Sequence, residues 1–158
     1  MKICYYADGR YVHALRWMKF FAERGHEMHL ISFAEVSNER ASELEKNGIK
    51  YHGHTGDFHL KKPWFTLRDL GFVRSVLRHQ RIDILHSHFL AQNIWYGYLS
   101  RFHPHLITVM GGDIIGENWK PDANAQERLL TERALKNADG ITAWSAMLAQ
   151  RVKPFLKH

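Results

Sequence analysis

Short apolar runs alternate along this chain with longer stretches of helical period, and that alternation narrows the fold more than any other feature. Ile3 to Ala7 reads as a buried strand ending at Asp8-Gly9, and Val12 to Arg24 as a helix stopped by Gly25. Met28 to Phe33 is a second strand, Val36 to Lys46 a charged helix closed by Asn47-Gly48, and Ile49 to His52 a short third strand. An irregular segment follows from Gly53 to Phe65. Leu67, Leu70, Val73 and Leu77 then form a helical stripe, and Ile82 to His88 is a fourth strand. Ala91, Ile94, Tyr98 and Phe102 again have helical spacing, and Leu106 to Met110 is a fifth strand before Gly111-Gly112-Asp113. A polar loop leads to a helix from Ala125 to Lys136, a sixth strand from Ile141 to Trp144, and a last short helix opened by Ser145. Repeated βα units whose strands are continuously apolar predict an α/β fold: a doubly wound parallel sheet of about six strands with helices on both faces.

The length, 158 residues, suits a single domain over 1–158, since domains commonly run ~100–200 residues. With 45% hydrophobic residues the chain can bury a core, which excludes disorder as its main state. One cysteine, Cys4, excludes an internal disulfide framework and a cysteine-based zinc cluster. Lys and Arg number 22 against 16 Asp and Glu, a net charge of +6. That excess points to an anionic partner: phosphates, nucleic acid or an acidic membrane surface. Met1 to Ala7 is too short an apolar run for a signal peptide. No apolar stretch approaches the ~18 residues a membrane span needs. The expected location is the cytoplasm, or peripherally the inner face of its membrane.

Open α/β sheets bind ligands outside the carboxyl ends of their strands, near the switch in strand order. The residues falling there are Asp8, Gly9 and Arg10; His86 and His88; Gly111, Gly112 and Asp113; and Ser145. A lone glycine after the first strand excludes the G-x-G-x-x-G dinucleotide fingerprint, and no P-loop pattern occurs. Gly9 reads either as a turn or as a phosphate contact. The Gly111-Gly112 pair permits close approach of a ligand to the backbone, while Asp113 suits a sugar hydroxyl or a helix cap. His86 and His88 share one strand face, yet no third ligand accompanies them, so no metal is expected. His88 is a candidate hydrogen-bonding partner for a ligand, or a packed strand-end histidine. Ser145 is most simply an N-cap, with a phosphate contact as the alternative. Lys61, Lys62, Trp64 and Phe65, with Arg74 and Arg78 further along the third helix, suit an anionic membrane or acceptor surface, or else an ordinary solvated helix face.

Several segments together resemble the N-terminal domain of family-4 glycosyltransferases, which have the GT-B fold. Met1-Lys2-Ile3-Cys4-Tyr5, the Gly9 loop and Glu23-Arg24-Gly25-His26-Glu27 are similar to that family's first unit. Ile82 to Phe89 is similar to its fourth strand, and Ala138 to Ser145 to its closing strand. Thr108-Val109-Met110-Gly111-Gly112-Asp113 resembles its T-x-H-G-x-D segment, with Met110 where many members have histidine. The resemblance implies one Rossmann-like half of a GT-B enzyme that moves a sugar, with retention, from a nucleoside-diphosphate sugar to an acceptor hydroxyl. It implies that Gly9 approaches the diphosphate and that His88, Gly111 and Asp113 line the cleft. It further implies no tightly bound cofactor, a saccharide or lipid-linked acceptor, and a C-terminal donor-binding domain or partner chain without which this half is inactive. The alternative reading is a basic Rossmann-like module for nucleic acid or another anionic partner. No recognisable nucleic-acid motif supports it, so nucleic acid is not the expected partner.

Overall fold

The N-terminal apolar run becomes strand β1 (Lys2–Ala7), buried from Ile3 onward. Its alternate side chains leave by opposite faces: Ile3, Tyr5 and Ala7 enter one apolar cluster, Cys4 and Tyr6 another. Both faces are therefore covered, as in the centre of a parallel sheet. The computed structural model describes residues 1–58, 62–111 and 125–156. After β1 the elements run α1 (Val12–Ala22), β2 (Glu27–Ser32), α2 (Asn38–Lys46), β3 (Ile49–His54), α3 (Pro63–His79) and β4 (Ile84–His88). Then come α4 (Gln92–Ser100), β5 (His105–Val109), α5 (Ala125–Asn137), β6 (Gly140–Ala143), α6 (Ala146–Val152) and a 3-10 turn (Lys153–Phe155).

The strands pair in parallel in the order β3-β2-β1-β4-β5-β6. The expected doubly wound, Rossmann-like sheet is thus present, and its order reverses between β1 and β4. On one face α1 and α2 bury Ala14, Met18 and Leu44 against Tyr5, Met28 and Leu30. On the other, α3 and α4 bury Leu70, Val73, Leu77 and Tyr96 against Cys4, Tyr6 and Leu85. Farther along the sheet, α5 and α6 add Leu135, Leu148 and Val152 against Ile107 and Val109 of β5. Gly97 of α4 lies against the ring of His105, whose Nε2 is 2.9 Å from Ser87 Oγ.

Several boundaries differ from the sequence expectation. β3 continues past Gly53, which takes a positive φ of 117°, to His54. α3 starts at Pro63 rather than after Phe65, because proline in the first turn has the right φ and needs no N–H partner. Val36 is not helical; it is buried in the core, and Ser37 caps α2 by accepting a bond from Arg40 N. α4 ends at Ser100 because Arg101 adopts a left-handed φ of 58°, so Phe102 falls outside it.

Candidate functional site

The reversal of strand order leaves a crevice between the carboxyl ends of β1 and β4. Asn93, fully buried in the first turn of α4, fixes its floor: Nδ2 donates to Tyr6 O of β1 and to His88 O of β4, each at 2.8 Å.

The loop after β1 forms one wall. Asp8 is buried, and its carboxylate accepts from Arg10 Nε at 2.9 Å and Nη2 at 2.6 Å. Arg10 itself is largely exposed, a cation anchored at the mouth. Gly9 donates its N–H to Ser32 Oγ at 3.1 Å, and its carbonyl accepts from Arg40 Nε at 3.0 Å. A Cβ on Gly9 would stand 2.8 Å from Val36 Cγ2. The close approach that this glycine permits is therefore to Val36 beneath the loop, with the amide already engaged.

The end of β4 forms the opposite wall. His86 and His88 project from one face, as their i, i+2 spacing requires, with centroids 4.7 and 4.8 Å from that of Tyr5. His86 Nε2 shares a hydrogen bond with Thr108 Oγ1 at 2.7 Å, and Thr108 Oγ1 another with Thr142 Oγ1 at 2.7 Å. His88 is 3% exposed, and neither ring nitrogen has a hydrogen-bond partner among the described residues. Burial, and secondarily the neighbouring His86, pushes its pKa down to about 3. Burial alone brings His86 to about 4. Both rings are neutral at ordinary pH.

Two cavities open along this edge and share Arg10 and Phe33. One of about 360 Å³ lies over the switch point, lined by Asp8, Tyr11, His13, His88 and Met110 among others. The other, about 480 Å³, is lined by Asp57, Phe58, Gln92, Trp95 and Glu127. Gln92 holds two of its walls together: Oε1 accepts from Phe58 N at 2.6 Å and Nε2 donates to Phe33 O at 3.1 Å. Trp95 is fixed by donating Nε1–H to Thr131 Oγ1 at 2.9 Å. Sequence reasoning missed this second cavity, whose residues come from four loops and two helices with no shared periodicity.

The other candidates are more dispersed. Gly111, two residues past the end of β5, has a φ of 120°, which favours glycine. Gly112, Asp113 and Lys61 lie outside the described residues. Ser145 lines neither cavity and caps α6, accepting a bond from Leu148 N at 3.3 Å. Ser145→Ala is expected to cost about 1 kcal/mol of stability, measured by urea unfolding. A neutral result would show that the cap carries nothing. Lys62, Trp64, Phe65, Arg74 and Arg78 are exposed along α3 and also line neither cavity. Among the described residues no group of three or more His, Cys, Asp or Glu is placed to hold a metal ion. None of the described helices is long and apolar enough to cross a membrane.

Comparison with known proteins adds to this geometry. The family model described as "Glycosyl transferase 4-like" matches residues 2–145. A sequence search of curated proteins finds no match. Among solved structures, a glycosyltransferase from Rickettsia africae ESF-5 is similar at a TM-score of 0.66 and 17% identity, over 96% of this chain and 38% of that one. A Listeria monocytogenes protein assigned as a UDP-N-acetylglucosamine 2-epimerase is similar at a TM-score of 0.66 and 13% identity, over 97% of this chain and 42% of that one. At such identities the likeness concerns the fold. The chain spans about two fifths of the length of these two structures.

Proposed function

The chain belongs to the glycosyl transferase 4-like family, and on that premise we propose that it forms the acceptor-side half of a retaining glycosyltransferase. The reaction moves a sugar from a nucleoside-diphosphate sugar to the hydroxyl of a saccharide or lipid-linked acceptor. The observation that carries this reading is His88, a buried neutral imidazole on a 360 Å³ cavity with both ring nitrogens unpartnered among the described residues. Such a ring offers one donor and one acceptor, the same pair that a sugar hydroxyl offers. Arg10, tethered by Asp8 yet exposed, sets a positive charge at the mouth of the same cavity. Charge grows on the diphosphate leaving group as the glycosidic bond breaks, and cationic donors fixed nearby lower that barrier.

In this reading the remaining contacts to the donor come from a second domain or a partner chain, with no resident metal or cofactor. The isolated chain then binds nucleotides weakly and transfers no sugar. A chemical-shift titration of the chain with UDP, GDP and NAD tests this. The expected result is weak, unsaturated shifts confined to Gly9, Arg10, His88 and Gly111. Tight, saturable binding of any one nucleotide, with shifts across both cavities, would mean a site already complete in this chain and would sink the proposal.

A further inference from the structure

Helix α3 buries Asp69, Leu70, Val73, Val76 and Leu77 and turns its opposite side to solvent. Trp64, Leu67, Arg68, Arg74 and Arg78 fall on that side at spacings of three, four and seven, one stripe of a helix. Its first turn is strongly apolar: Trp64 is 81% exposed, Leu67 57% and Phe65 46%. The charge along it has a single sign. From Lys62 to Arg81 the only acidic residue is Asp69. That carboxylate is buried and occupied, accepting from Arg68 Nε and from Gly56 N at 2.9 Å each. Lys62, Arg74, Arg78 and Arg81 are all exposed without an ion-pair partner among the described residues.

We infer that this face of α3 docks on an anionic lipid bilayer. Exposed Trp, Phe and Leu rings and chains seat at the boundary of headgroup and acyl region, while Lys and Arg meet the lipid phosphates. A nucleic acid would satisfy the cations but leave Trp64 and Leu67 with no apolar surface to enter. Since no described helix can span a membrane, the contact is peripheral. α3 starts just beyond the carboxyl end of β3, the edge on which both cavities open, and Phe58 of the larger cavity precedes it by five residues. Docking through the first turn of α3 therefore brings the cavity edge near the bilayer. That the acceptor is then lipid-anchored rests on the transferase reading; the docking itself does not.

The test is co-sedimentation of the full chain with vesicles of phosphatidylcholine, with and without phosphatidylglycerol. Wild type is expected to pellet with the anionic vesicles, to be released by salt, and to stay in solution with pure phosphatidylcholine. Trp64→Ser/Leu67→Ser and Lys62→Gln/Arg78→Gln change exposed side chains, so both should melt like wild type while partitioning roughly tenfold less. Either variant binding as wild type does would overturn the inference. So would equal binding to both vesicle types, or duplex DNA capturing the chain from the vesicles with no effect of the Trp64/Leu67 change. Vesicle binding alongside tight, saturable nucleotide binding would sink the transferase reading and leave the docking face standing.

Discussion

Lowering the pH from 7 to 5 is expected to remove about 6 kcal/mol of folding free energy through three buried histidines. His86 and His105 have pKa values lowered to about 4, and His88 to about 3, in each case chiefly by burial. All three are under a tenth exposed, so solvent screens little of this. A depressed histidine pKa means that the unfolded chain binds more protons than the native one, so stability rises with pH across that interval. The loss begins near the unfolded value of ~6.5 and continues downward until the native rings themselves protonate. At pH 5 the gap to the unfolded value is ~1.5 units, or about 2 kcal/mol per ring. Against a total of ~5–15 kcal/mol for a typical domain, that is enough to bring the chain close to unfolding. Urea unfolding at several pH values measures it. Fewer than about two protons taken up on unfolding near pH 5 would contradict the burial of these rings. His88→Gln should reduce the slope by about one proton.

Gly97→Ala should destabilise the protein by about 3 kcal/mol, although alanine is the better helix former. A Cβ at this position would lie 2.5 Å from His105 Cε1 and 2.7 Å from Nε2. The ring is 3% exposed, bonded to Ser87 Oγ and beside a backbone N–H tied to Asp139 Oδ2 at 2.7 Å, so it has little room to retreat. Overpacking costs ~1–3 kcal/mol. Tearing His105 from Ser87 leaves two buried polar groups unpaired at ~1–3 kcal/mol more. Helix propensity returns ~1 kcal/mol. For a chain of this size the melting temperature would drop by roughly 9 °C. A stabilised Gly97→Ala would mean that propensity alone governs the site. In a His105→Ala background the same change should cost much less, because the two positions are in contact.

The sequence carried the sheet well, for a physical reason. Strands covered on both faces are largely apolar, so β1 stands out against its polar surroundings, while the buried end of β4 is the polar run His86-Ser87-His88. The carboxyl-edge residues Asp8, Arg10 and His88 followed from the sheet alone, and the structure gathers them on one cavity. The cap at Ser145 was equally legible, being a local hydrogen bond across three residues. Gly9 reads in the sequence as a turn or a phosphate contact; Val36, the neighbour that would crowd a Cβ there, arrives through tertiary packing that no local pattern encodes. The second cavity was invisible for the same reason. Phe33, Phe58 and Trp95 are unremarkable singly and become a wall only when Gln92 ties the loops of Phe33 and Phe58 to α4, which carries Trp95. The start of α3 falls inside the segment that reads as irregular in the sequence, because Pro63 suits a first turn, where it starts a helix.

The pairing of β1 with β4 has a consequence for how the molecule comes apart. It joins segments far apart in the chain: the backbone N–H of Lys2 bonds Asp83, 81 residues away, and Ile3 sits opposite Ile84. Each side of this seam is a βαβ run built mainly from nearer contacts, which can assemble before the two meet. The crevice lies on the seam, with Asp8 and Arg10 from one half and His88 and Met110 from the other. A molecule held there grips both halves at once. It acts as a clasp, and its grip would be felt in the rate at which the halves separate before any change of shape is seen.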